Sequence, residues 1–93
     1  AGAGAKFYTA KASDERVKEN IVDVGVDQRT GLTLYEFNYK ERFGDPNIRY
    51  RGVMAQEVEL SYPDAVVTRT DGVFNGYKTV DYNMLGIEMK EVA

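Results

Sequence analysis

Polar and apolar positions alternate most regularly between Ile21 and Tyr39. Residues 21–26 mix Ile21, Val22, Val24 and Val26 with Asp23 and Gly25, which predicts a strand. Residues 27–31 carry turn formers and end in Gly31. Residues 32–39 then alternate with period two. Leu32, Leu34, Glu36 and Asn38 fall on one face; Thr33, Tyr35, Phe37 and Tyr39 fall on the other. The aromatic face is the one expected to be buried, and the two segments predict a hairpin.

Residues 40–51 are polar, and Gly44, Asp45 and Pro46 predict a loop. Residues 52–62 predict a helix, because Val53, Ala55 or Gln56, and Val58 to Leu60 recur near helical spacing; Pro63 stops it. Residues 65–70 predict a strand, Asp71-Gly72 a two-residue hairpin turn, and residues 73–80 the returning strand. Asp81 or Asn83 caps a last helix running from Leu85 to Val92. In it Leu85, Met89 and Val92 are spaced four and then three apart. That spacing begins a heptad seam, and a short amphipathic core helix produces it as well.

Upstream, residues 1–5 (AGAGA) carry little information, and residues 6–12, with Phe7 and Tyr8, predict a short strand. Ser13 opens a helix signal, with Asp14 and Glu15 in the first turn and Asn20 at the end. The expected fold is a small α+β domain with two antiparallel β-hairpins and short helices.

Composition narrows the chemistry. The chain of 93 residues fits one domain with a small core. It is read as a fragment of a longer product. Cys and His are both absent, so disulfides, thiolate metal sites and the commonest general base are excluded. No metal or cofactor is expected. With staples excluded, oligomerisation is the natural source of further burial. A net charge of −3 argues against nucleic acid as a partner. No apolar run approaches the roughly 18 residues of a membrane span, so no membrane partner is expected.

Three stretches carry a family resemblance: SDERVKENI from Ser13; GLTLYEFNYK from Gly31 with YRGVMAQEVE from Tyr50; and YPDAVV, DG and KTVDYNML between Tyr62 and Leu85. Their order and spacing resemble the C-terminal intramolecular chaperone auto-processing domain of endosialidases, phage tail spikes and tail fibres. The resemblance spans roughly residues 8–90. It implies a homotrimer whose last helix leads into a coiled coil and which directs folding of the upstream fibre segment. It also implies a precursor made in the host cytoplasm. The domain, residues 13–93, then cuts itself from residues 1–12 at the Ala12–Ser13 bond. Released, it leaves a virion fibre that unfolds slowly. The family's nucleophile falls on Ser13 and its partner lysine, the general base, on Lys18; Asn20 belongs to the same motif.

A serine hydroxyl needs a base, and without His a lysine is the leading candidate. That lysine must be desolvated or placed near positive charge, for which Lys11 and Arg16 are available, to be neutral near pH 7. Ser13 can attack the carbonyl before it through a five-membered ring, passing the acyl group from nitrogen to oxygen; direct general-base hydrolysis is the competitor. On a continuous helix, positions five apart are turned by about 140°. Ser13 as a cap with Lys18 folding back, or contact across subunits, would relieve that. The plain structural readings are a helix N-cap for Ser13 and a surface lysine for Lys18. Gln56 and Glu57 are read as parts of the core helix, Asp81 and Tyr82 as a tie between the last strand and helix, and the strand aromatics as core or interface. Two other functions stay open. One is a trimerisation or receptor-binding cap that does no cutting; the other, weaker, is a conventional enzyme.

Overall fold

The computed structural model describes residues 10–93, so the readings of residues 1–5 and of Phe7 and Tyr8 lie outside the described residues. Among the described residues, seven strands follow in order: β1 (Ala10–Ala12), β2 (Lys18–Val26), β3 (Thr33–Tyr39), β4 (Arg49–Gly52), β5 (Val66–Thr68), β6 (Lys78–Asp81) and β7 (Lys90–Glu91). Helix α1 is Ala55–Ser61 and helix α2 is Tyr82–Leu85; single 3-10 turns occupy Glu15–Val17 and Pro63–Ala65. The strands form two antiparallel sheets, of order β1-β6-β5 and β2-β3-β4-β7. This is the expected α+β class, with each expected hairpin enlarged by further strands.

The β2–β3 hairpin starts earlier than predicted. Lys18 pairs with Tyr39 and Val26 with Thr33, with register shifts between Glu19 and Val22 and between Asp23 and Gly25. The predicted helix over residues 14–20 is therefore corrected. Ser13 caps nothing; the Asp14 side chain caps the 3-10 turn by accepting from Arg16 N–H, and Lys18 already lies in β2. Asn20 does not end a helix. It sits at a bulge with φ +54, a conformation that Asn tolerates better than most residues.

Three further segments differ from expectation. Strand β4 lies in the stretch read as loop and pairs Phe37 with Tyr50. Its aromatic partners across the ladder stabilise it where local alternation is weak. Strands β5 and β6 form an antiparallel hairpin, but the strands predicted over residues 65–70 and 73–80 shrink to Val66–Thr68 and Lys78–Asp81, Val66 pairs with Val80, and residues 69–77 close the hairpin instead of a two-residue Asp71-Gly72 turn. Arg69 N–H and Gly76 N–H donate to Tyr77 and Arg69 carbonyls at its base. The last helix stops at Leu85. Gly86 takes the left-handed conformation at φ +67 that ends helices, and the chain returns to add β7 to the edge of β4. The seam expected through Met89 and Val92 is thus not helical.

The core joins the two sheets. Leu32, Val53, Ala55, Val58, Ala65, Val80, Tyr82 and Leu85 are buried together, and α1 packs across β5 and β6. Pro63 follows α1 as predicted and opens the next 3-10 turn. On the buried face of β3, Phe37 is fully enclosed and its ring meets those of Tyr39 and Tyr50. This aromatic floor lies beneath the segment that joins β1 to β2.

Candidate active site

That segment, Ser13 to Val17, crosses from the first sheet to the second. Its backbone is held on both sides. Ser13 and Asp14 N–H both donate to the Lys78 carbonyl, Ala55 N–H donates to the Ser13 carbonyl, and Glu15 N–H donates to Gln56 Oε1 at 2.9 Å. Gln56, read as part of the core helix, thus ties α1 to the loop bearing Ser13. Asp14 is fully buried and accepts from Arg16 N–H, the Arg16 guanidinium and Lys78 N–H. Burial pushes its carboxyl upward, but these donors outweigh burial and hold it well below the usual carboxylate range.

Ser13 and Lys18 meet within one chain. Ser13 is 0% exposed and Lys18 2% exposed, and Lys18 Nζ lies 2.9 Å from Ser13 Oγ. The helical objection does not arise, because a 3-10 turn reverses the chain between them. Loss of water on burial pushes the Lys18 amine well below its ordinary value, against the opposing pull of the Asp14 charge. The face of the Phe37 ring lies 3.9 Å from Nζ and favours the charged form as well. Desolvation, the larger effect, comes from the domain's own packing. Arg16 spends its charge on Asp14, and Lys11 points outward from β1.

Two residues outside the SDERVKENI stretch complete the cluster. Tyr82 OH lies 2.6 Å from Ser13 Oγ and accepts from Val53 N–H at 3.0 Å. Having accepted there, its own proton is free for Ser13 Oγ. Burial pushes its phenol up to about 12, so it stays protonated at neutral pH. The Val53 carbonyl receives Lys18 Nζ at 2.7 Å and lies 3.1 Å from Ser13 Oγ. Val53 therefore uses both its amide groups on the cluster. While Lys18 is an ammonium, the Ser13 hydroxyl donates to Val53; once Lys18 is neutral, that hydroxyl can donate to Nζ instead.

A family model, that of a peptidase family described as chaperone of endosialidase, matches residues 13–67, more than half of the chain. The chain belongs to the endosialidase-chaperone family. No curated protein and no solved structure matches it. The family match begins at Ser13 and contains Lys18, Tyr39 and Val53; Tyr82 lies beyond it.

Asn20 stands apart from the cluster. It is exposed, and its side chain reaches Asn38 on β3 at 3.5 Å. Tyr82 was visible in the VDY stretch but reads there as a structural tie. Its hydroxyl joins the site only because Gly52 leaves room; a Cβ on Gly52 would lie 2.5 Å from that oxygen. The Val53 carbonyl carries no side-chain signal at all.

Proposed function

We propose that this domain is an intramolecular chaperone that trimerises, directs folding of an upstream fibre segment, and releases itself by cutting Ala12–Ser13. The observation that carries the cutting is the buried contact between Lys18 Nζ and Ser13 Oγ, 2.9 Å apart, directly after the bond concerned. Neutral Lys18 takes the Ser13 hydroxyl proton as Oγ attacks the Ala12 carbonyl carbon, and the carbonyl oxygen becomes an oxyanion. The oxyanion then collapses. The C–N bond breaks, the Ser13 nitrogen takes the proton back from Lys18, and Ala12 is held as an ester on Oγ. Water hydrolyses that ester to an Ala12 carboxylate and the original hydroxyl. Burial of Ser13 and Lys18 favours this acyl shift over direct attack by water, because the base already faces Oγ.

Association with further copies is supported by β2. It is an edge strand, and Ile21, Val22, Val24 and Val26 are exposed along it. A long apolar edge of this kind is a template for pairing with another chain. On this reading the precursor is made in the host cytoplasm and the mature fibre joins the virion.

The test is expression of the precursor beside Ser13→Ala and Lys18→Ala, read by gel and intact mass. The wild type is expected to be cut at Ala12–Ser13 and both variants to stay whole. A wild type that assembles but stays uncut leaves the non-cleaving cap as the function.

A further inference from the structure

Tyr39 also contacts the Ala12–Ser13 peptide bond, at its carbonyl oxygen. Its hydroxyl donates to the Ala12 carbonyl oxygen at 2.6 Å, within the range of a strong O–H···O bond. The next acceptor, Met89 Sδ, is 3.6 Å away and takes the weaker share. We propose that Tyr39 is a catalytic residue, the donor that stabilises the oxyanion formed on Ala12 during self-cleavage.

Three features of the fold support the assignment, which rests on the cutting reaction proposed above. First, the carbonyl is available. Ala12 stands opposite Thr79 in the β1–β6 ladder while the bond from Ser13 N–H runs to Lys78. In an antiparallel pair this makes Ala12 and Thr79 a non-hydrogen-bonded pair, so the Ala12 carbonyl points away from β6. Second, Tyr39 and Lys18 are direct cross-strand partners in β2 and β3. Directly opposed side chains leave the sheet on one face, so one rigid ladder sets both the base and the donor against the Ala12–Ser13 bond. Third, the donor is preorganised. The Tyr39 ring lies edge-on to Phe37 and Tyr50, with centroids 5.5 and 5.4 Å away, and Gly44 closes against its Cβ. Burial pushes the phenol far above its ordinary value, so its proton is in place when charge develops. A fixed donor in a water-poor site acts without reorganising as the oxyanion forms.

Tyr39→Phe removes one oxygen and keeps the ring. Precursor refolded from denaturant is sampled over time, with folding followed by circular dichroism and cutting by intact mass. The expected first-order cutting rate falls about 10²–10³-fold, while the pH profile keeps the wild-type inflection because Lys18 is unchanged. A folded Tyr39→Phe precursor that cuts at the wild-type rate overturns the assignment. If the Phe variant does not fold, 3,5-difluorotyrosine placed at position 39 decides the matter. It keeps the shape and makes a stronger donor, so the rate is expected to rise, and an unchanged rate overturns the assignment. A wild-type precursor that folds and is never cut overturns the cutting reaction itself, and the role of Tyr39 with it.

Discussion

Lys18→Arg keeps a positive charge but removes the proposed base, since a guanidinium holds its proton up to about pH 12. The expected consequence follows from the burial of Lys18. At its ordinary value of 10.5, a lysine is neutral in only about 1 in 3,000 molecules at pH 7. Each unit by which burial lowers that value raises the neutral fraction about tenfold. Cutting by the wild-type precursor is therefore expected to rise about tenfold per pH unit and then level off well below pH 10.5. The assay is refolding by dilution into buffers between about pH 5 and 10, with cutting read by intact mass and folding by tyrosine fluorescence. The fluorescence separates slow folding from slow chemistry. Lys18→Arg is expected to show no cut at any pH. The reasoning is refuted by a wild-type rate that still climbs tenfold per unit up to the ordinary lysine value, or by cutting in Lys18→Arg.

Further outcomes are expected from the same packing. In a Ser13→Ala background, stability rises with pH between the depressed value of folded Lys18 and the unfolded value of 10.5, because the unfolded chain holds the extra proton there; urea melts across that range check it. Asp14→Ala leaves Arg16 and Lys78 N–H without their acceptor and is expected to cost about 2–4 kcal/mol at pH 7. Since Asp14 is held below its ordinary value of 3.8, the gap between Asp14→Ala and wild type closes as pH falls below 3.8, measured by the same melts. Gly52→Ala places a methyl 2.5 Å from Tyr82 OH and is expected to destabilise by about 1–3 kcal/mol. It is also expected to slow cutting, by displacing the group beside Ser13. Tyr82→Phe removes the acceptor of Val53 N–H, costs about 1–3 kcal/mol by thermal melting, and slows cutting without abolishing it.

Local patterns were enough for much of this molecule. The period-two run through Phe37 and Tyr39 marks β3 and its buried aromatic face, Pro63 marks the end of α1, and SDERVKENI and MAQEVE lie within the stretch that matches the family. These are signals that neighbouring residues impose on one another through dihedral preference and side-chain period. Lys18 looked like a surface lysine on a short helix because nothing local buries it. Its burial comes from Phe37 and Val53, distant in sequence and joined only when the sheets pack. Gly86 ends α2 and returns the chain to β4, a choice that depends on an open sheet edge and not on the heptad spacing before it. The same holds for Tyr39, whose role against Ala12 depends on a register that pairs it with Lys18. The sequence alone determined which residue types were on hand for the chemistry, a serine and a lysine with no histidine to compete. Tertiary structure decided that the lysine loses its water and that two tyrosines aim at the neighbouring atoms, because desolvation and hydrogen-bond geometry are properties of packed distant segments.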